Sequence, residues 1–184
     1  IEVCRQLVQW DAMGLHVPVV AVNISATHFC SAGLPRQIVG LLDEYGLAPQ
    51  RLTIEITEGV MMRQNAETMA TIAAIRAIGV GLSLDDFGTG FSSLSRLADL
   101  PLTEIKIDRS FVANFEEDVG AFVVTEAAIN IGKRLGITVV TEGVETAIQN
   151  EKLLNMGCDV VQGYLFGKPV PPAEFYDWYK MFFS

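Results

Sequence analysis

Basic side chains, cysteine and histidine are scarce in this sequence, and each shortage excludes something. Thirteen Lys and Arg face 22 Asp and Glu, a formal net charge of −9. A general nucleic-acid surface needs a basic stripe, so no DNA binding is expected. A nucleotide substrate stays open, because metal ions can bring the positive charge. The three cysteines, Cys4, Cys30 and Cys158, are too scattered for a disulfide framework or a zinc site. Reduced thiols and a cytoplasmic location are therefore expected. Two histidines, His16 and His28, leave little for His-rich metal sites or proton relays. No apolar run approaches the roughly 18–20 residues that span a bilayer. No membrane segment and no secretory leader are expected.

Half of the 184 residues are apolar, ample for one buried core. Helical spacing of apolar residues appears at 1–13, 35–45, 65–78, 94–99, 118–135, 146–156 and 173–183. Asn65 is a natural N-cap. Gly14, Gly46 and Gly79 stand just past helix ends. Between the helices, residues 17–24, 52–57, 80–85, 104–108, 137–141 and 159–162 are short apolar, β-branched runs that read as buried strands. Strands alternating with helices call for a parallel α/β sheet. The chain opens already inside a helix, with no polar lead-in, so a piece of a longer protein is expected.

The polar residues choose between an open sheet and a barrel. A doubly wound nucleotide-binding sheet carries its glycine fingerprint after the first strand. Here Gly88-Thr89-Gly90 follows the third strand instead. Asn23 ends the first strand, Glu55 nears the end of the second, and Glu58 lies just beyond it. Asp85 and Asp86 end the third, Lys106 and Asp108 the fourth; Glu142 follows the fifth, and Gln162 ends the sixth. Polar groups at the C-terminal end of every strand mark the active face of a (β/α)8 barrel. A full barrel has eight strands and roughly 200 residues or more. The expected fold is thus a TIM-like barrel, incomplete, with about six of its eight strands.

Asn23, Glu55, Asp85, Asp86 and Glu142 are oxygen donors without His or Cys among them, which suits Mg²⁺ or Mn²⁺ rather than zinc. Adjacent Asp85 and Asp86 can share two ions about 3.5–4 Å apart, a geometry of phosphoester hydrolysis. Any one acidic residue at a strand end reads equally well as a solvated loop residue or a helix cap. One on each successive strand reads as a site. Lys106 can form a Schiff base, position water, or simply pair with Glu104 or Asp108. Clustered carboxylates keep a lysine charged, which favours the electrostatic role. Gln162 can orient a water or satisfy barrel backbone. The loop Phe87-Gly88-Thr89-Gly90-Phe91-Ser92-Ser93 can move as a lid or approach a phosphate.

Taken together, these segments resemble the EAL-domain family, the bacterial cyclic di-GMP phosphodiesterases. The matching stretches are Val22-Asn23-Ile24-Ser25, Glu55-Ile56-Thr57-Glu58, Asp85-Asp86 with the glycine loop, Ile105-Lys106-Ile107-Asp108-Arg109-Ser110-Phe111-Val112, Glu142-Gly143-Val144-Glu145-Thr146 and Gln162-Gly163-Tyr164-Leu165-Phe166. They come in family order along essentially the whole chain. The resemblance implies a TIM-like barrel that opens cyclic di-GMP to linear pGpG with Mg²⁺ or Mn²⁺, two ions in all. It implies Asn23, Glu55, Asp85 and Glu142 as metal ligands, with Asp86 on the second metal. Lys106 would hold the attacking water, supported by Glu145 and Gln162. Glu58 would anchor the loop carrying Phe87, Gly88, Thr89 and Gly90, which in the family links dimerisation to metal binding. A homodimer and upstream sensory or GGDEF-type domains are implied as partners.

The sequence departs from the family at one place. The Glu-Ala-Leu tripeptide, whose glutamate is a metal ligand and whose nearby arginine contacts substrate phosphate, is absent; Glu126-Ala127-Ala128 falls in a late helix. Residues 1–184 are therefore expected to be the C-terminal two-thirds or more of a single domain, with doubtful activity on their own. Two rival readings differ in class. One is an EAL-like module that binds cyclic di-GMP without cleaving it. The other is an unrelated barrel enzyme using Lys106 as a Schiff base.

Overall fold

Six short strands lie side by side in sequence order, every neighbouring pair parallel. The computed structural model describes residues 1–31, 33–61, 65–90, 94–113, 115 and 117–183. The last part of the glycine loop, 91–93, lies outside the described residues. In chain order the elements are α1 (Glu2–Ala12), β1 (Val20–Asn23), α2 (Ala26–Phe29), α3 (Leu34–Tyr45), a 3-10 turn (Pro49–Arg51), β2 (Leu52–Thr57), α4 (Glu58–Met61), α5 (Ala66–Ile78), β3 (Gly81–Phe87) and α6 (Leu94–Asp99). Then follow β4 (Glu104–Ile107), α7 (Arg109–Ala113), α8 (Val119–Leu135), β5 (Thr138–Thr141), α9 (Ala147–Met156), β6 (Val160–Val161) and α10 (Pro172–Phe183). Together they make an α/β half-barrel, the incomplete TIM-like arrangement expected.

Local chemistry starts the helices. Asn65 accepts the Thr68 N–H at 2.8 Å to open α5. Asp118 accepts from Gly120 and Ala121 to open α8. Thr146 and Gln149 form a reciprocal capping box at the start of α9. Ile54, Ile56, Leu82, Leu84, Ile105, Ile107 and Val139 are buried from the central strands, and α3, α5 and α8 cover them with Ile38, Ile72, Ile75 and Ile129. Because side chains alternate along a strand, the residues between these isoleucines and leucines share the opposite face. Glu55, Ser83, Asp85 and Lys106 fall there, in register across β2, β3 and β4.

Several boundaries differ from the sequence reading. β1 starts at Val20 rather than Val17: Pro18 has no N–H to give a ladder, and the Val17 carbonyl is taken by the Arg51 guanidinium at 2.8 and 3.2 Å. β3 runs on to Phe87, past the expected end at Asp85, with a register shift between Leu84 and Phe87. β6 keeps only two residues. The single-turn helices α2, α4 and α7 were not expected, since four or five residues show no helical period. Among the described residues, no helix is long and apolar enough to cross a membrane.

Among the described residues, β1 and β6 are each paired on one side only. Val19 and Val160 are exposed beside them, as are Leu165, Phe166 and Val170. The helices at the two chain ends do meet: Trp10 of α1 lies 5.0 Å from Phe175 of α10. Open strand edges with apolar flanks seek pairing. The 184-residue chain expressed alone is therefore expected to self-associate, read by light scattering after size exclusion. A monomer that melts cooperatively would contradict this.

Candidate active site

Lys106 is the centre of the site, and its place follows from alternation. Ile105 and Ile107 point into the helical layer, so Lys106 points to the other face, where it is 8% exposed. Its Nζ lies 2.6 Å from Glu142 Oε1, 2.8 Å from Glu55 Oε1 and 3.4 Å from Asp85 Oδ1. Those carboxylates stand at the ends of β5, β2 and β3. Asn23, ending β1, donates from Nδ2 to Glu55 Oε2 at 2.7 Å. The Glu142 N–H donates to the Ile107 carbonyl at 3.1 Å, holding Glu142 beside the lysine's own strand. Burial alone would lower the Lys106 pKa; hydrogen bonds to Glu142 and Glu55 outweigh it and hold the ammonium well above its ordinary value. Lys106 is thus a fixed positive charge, unsuited to the neutral amine a Schiff base needs. Its partners are not Glu104 or Asp108, the alternative pairing weighed from sequence. Asp108 instead accepts the Ser110 N–H at 3.0 Å at the start of α7.

The register shift in β3 shapes the next part. Asp86 sits in the left-handed region at φ 57°, the only non-glycine residue there among the described residues. That conformation is uncommon for a residue with a Cβ. The Asp86 carbonyl accepts from Thr89 N and Oγ1 at 3.2 and 2.9 Å, closing the turn. Burial first, and then the neighbouring Asp85 and Asp108 charges, raise the Asp86 pKa. A raised carboxyl pKa means the native state holds the proton more tightly than the unfolded chain. The ionised form present at neutral pH therefore works against folding. Asp86→Asn, which removes that charge and tolerates positive φ better, is expected to raise Tm near pH 7, with the gain shrinking as the pH falls. It should lower diester hydrolysis all the same. A Tm below that of the wild type would contradict the argument.

Glu58, at the head of α4 and 7% exposed, accepts the Gly88 N–H at 3.0 Å. A Cβ on Gly90 would run into the Glu58 carboxylate, so glycine there lets the loop lie across it. Phe87, expected in the loop with substrate, is instead the last residue of β3, paired with Ile107 and buried; its role is packing. Gly88, Thr89 and Gly90 remain the loop. Glu58→Ala is expected to lower kcat about tenfold or more, because it frees the loop although it removes no candidate ligand. Unchanged kcat and unchanged association state would remove the anchoring role.

Glu145 is not among the carboxylates paired with Lys106; it and Gln162 share one cavity lining with Glu142. Both are exposed and line a cavity of about 160 Å³ with Glu142, Arg109 and Tyr164. Gln162 lies just past β6, its N–H on the Thr141 carbonyl at 2.8 Å. Gln149, unremarked in the sequence motifs, is buried and accepts the Glu145 and Thr146 N–H groups. Its capping-box spacing is the one sequence signal that pointed to it.

The donor set fits a hard divalent cation. Every candidate ligand offers oxygen. Three carboxylates, Glu55, Asp85 and Glu142, meet the single Lys106 ammonium, leaving two negative charges (three minus one) uncompensated there, with the Asp86 charge close enough to be felt beside Asp85. Among the described residues no three Asp, Glu, His or Cys side chains close directly on an ion. Glu55, Asp85 and Glu142 close on the ammonium instead.

A model of the EAL domain matches residues 1–169. The chain is 48% identical over 177 residues to the oxygen sensor protein DosP of Escherichia coli, covering 96% of this chain and 22% of that protein. It is 36% identical over 159 residues to the cyclic di-GMP phosphodiesterase RocR of Pseudomonas aeruginosa, covering 86% of this chain and 41% of RocR. The chain thus spans less than half the length of these curated relatives. Among solved structures, the PaMucR phosphodiesterase in complex with c-di-GMP superposes with a TM-score of 0.89 at 39% identity, covering 95% of this chain and 70% of that one. A manganese/cy-diGMP complex of Klebsiella pneumoniae BlrP1 superposes with a TM-score of 0.80 at 29% identity, covering 89% of this chain and 42% of that one.

Proposed function

The chain belongs to the EAL domain family, and from that premise we propose that its site hydrolyses cyclic di-GMP to linear pGpG. One observation carries the reading: a buried ammonium, Lys106, gathers carboxylates from three different strand ends on the active face of a barrel fold. The relative RocR is a cyclic di-GMP phosphodiesterase, and the PaMucR structure holds c-di-GMP; both support the substrate.

The chemistry is the addition of water to one phosphodiester. The water oxygen forms a new bond to phosphorus and gives up one proton, the bond to the 3′ oxygen breaks, and that oxygen takes a proton in its place, so the net change is the addition of one water. Asn23, Glu55, Asp85 and Glu142 would hold one divalent cation, Mg²⁺ or Mn²⁺, and Asp86 a second. A bound divalent cation supplies Lewis-acid polarisation of the diester. Lys106 remains protonated, donates to the attacking water, and holds positive charge where negative charge grows on the phosphoryl oxygens. Glu145 and Gln162 orient that water from the cavity side. Glu58 holds the glycine loop over the site through Gly88.

Residues 1–184 are, on this reading, the C-terminal two-thirds or more of a single EAL domain. Its partners in the parent protein would be a second copy and upstream sensory or GGDEF-type domains. The test is to incubate the full-length protein with cyclic di-GMP and Mg²⁺ or Mn²⁺, with and without a chelator, and to separate nucleotides by ion-pair chromatography. Metal-dependent pGpG is expected. Tight binding of cyclic di-GMP with no pGpG under any metal would overturn hydrolysis in favour of the binding-module reading.

A further inference from the structure

Gln149 makes more contacts than helix capping requires. Its Oε1 accepts two N–H groups, Glu145 at 2.8 Å and Thr146 at 3.0 Å. Its Nε2 donates to the Val112 carbonyl at 3.3 Å, 37 residues away. Val112 is in the last turn of α7, where a five-residue helix leaves its carbonyls without helical partners. The side chain is 7% exposed, so each of these groups would cost free energy if left unpaired.

The two segments it joins both belong to the site. α7 follows directly from β4, which carries Lys106. The segment 142–146 carries Glu142 and Glu145 and, among the described residues, is otherwise tied to other strands and loops by three backbone bonds: Glu142 N–H to Ile107 O and Val144 N–H to Gln162 O, each 3.1 Å, and Leu165 N–H to Val144 O at 3.0 Å. Gly143 sits at φ 74°, and a Cβ there would overlap Arg109, the first residue of α7. One wall of the segment is thus pressed on the start of α7 while Gln149 ties its far end to the finish of the same helix. Two attachments to one short helix define a position, where one would allow rotation.

We propose that Gln149 is a positioning residue. By bridging the 142–146 segment to Val112, it sets where Glu142 meets the Lys106 ammonium. The role divides from capping by chemistry. A glutamate at this position keeps the two acceptor bonds of the capping box but has no N–H for Val112. Removal of the Thr146 hydroxyl weakens the cap and leaves the bridge to Val112 in place.

The kinetic arm of the test rests on the phosphodiesterase reading; a second arm does not. In the full-length protein, Gln149→Glu is expected to lower kcat about tenfold or more, with KM within about twofold, because the displaced group acts at the reacting centre. Thr146→Ala is expected to lower Tm while kcat stays within about twofold of wild type. The second arm labels lysine with ¹⁵N and follows the Lys106 ammonium signal without substrate or metal. Gln149→Glu should shift that signal and Thr146→Ala should leave it in place. If Gln149→Glu does not fold, Gln149→Asn, a methylene too short to span the gap, is read in the same way. Should the wild type fail to hydrolyse cyclic di-GMP, the phosphodiesterase reading falls and the ammonium signal still decides the position of Glu142. A Lys106 signal unmoved by the Gln149 variants, or activity lost equally in Thr146→Ala, overturns the proposal.

Discussion

Lys106→Ala in the full-length protein is expected to cut kcat for cyclic di-GMP hydrolysis about 10²–10³-fold, the range for removing one group aimed at developing negative charge. KM should change far less, because the ammonium matters most as charge grows on the phosphoryl oxygens. If only KM rose, the role assigned to Lys106 would be wrong. A stability loss accompanies the change. Glu55, Asp85 and Glu142 all point at the ammonium, which is 8% exposed, and they would then face one another. Breaking a buried pair costs about 3–5 kcal/mol, measurable by urea unfolding. The sign with pH is fixed by which groups are left. Repelling carboxylates hold protons more tightly in the native state, so the variant's deficit shrinks as pH falls below neutral. The wild type behaves differently: its raised ammonium pKa contributes stability at every pH below the ordinary lysine value and loses it only as the pH climbs through the raised one. Added Mg²⁺ or Mn²⁺ should raise the Tm of the variant more than that of the wild type, because the carboxylates have lost their resident cation.

Asp85→Asn and Glu142→Gln carry the other large effect. Both keep the size and one oxygen of the side chain and remove the charge a divalent cation needs. Loss of groups that merely orient metal ligands already costs about 10–100-fold. Loss of a ligand should therefore cost at least about a hundredfold in hydrolysis. The effect should be partly recovered at high metal concentration, since the defect is in metal affinity. Isothermal titration with Mn²⁺ gives that affinity directly. Undiminished turnover at saturating metal would sink the assignment of either residue. Glu142→Gln should weaken folding more than Asp85→Asn, as Glu142 approaches Nζ at 2.6 Å and Asp85 at 3.4 Å.

Much of this was legible in the residues. Strands such as Leu52–Thr57 stand out because a doubly covered strand is apolar almost throughout, and Glu55 within it is conspicuous for that reason. The cap read at Asn65 is a local bond, written within three residues, and those the structure adds at Asp118 and Thr146 are as local. Period-two alternation in Ile105-Lys106-Ile107 sets Lys106 on the face opposite the two isoleucines. The partners of that lysine were not legible. Glu104 and Asp108 are nearer in sequence, but Glu55, Asp85 and Glu142 reach Nζ from three other strands.

The sequence by itself determined the parallel α/β architecture, the crest of oxygen donors and the site's dependence on added positive charge, because these follow from composition and short-range pattern. The tertiary structure alone decided the rest. The register shift that turns Asp86 to φ 57° arises from how β3 pairs with β4. The removal of Phe87 from the loop into the core follows from its pairing with Ile107. Gln149 announces its cap through neighbours three and four residues away, but its bond to Val112 spans 37 residues. Such contacts depend on which surfaces the folded chain brings together, and no local preference of the chain encodes that distance.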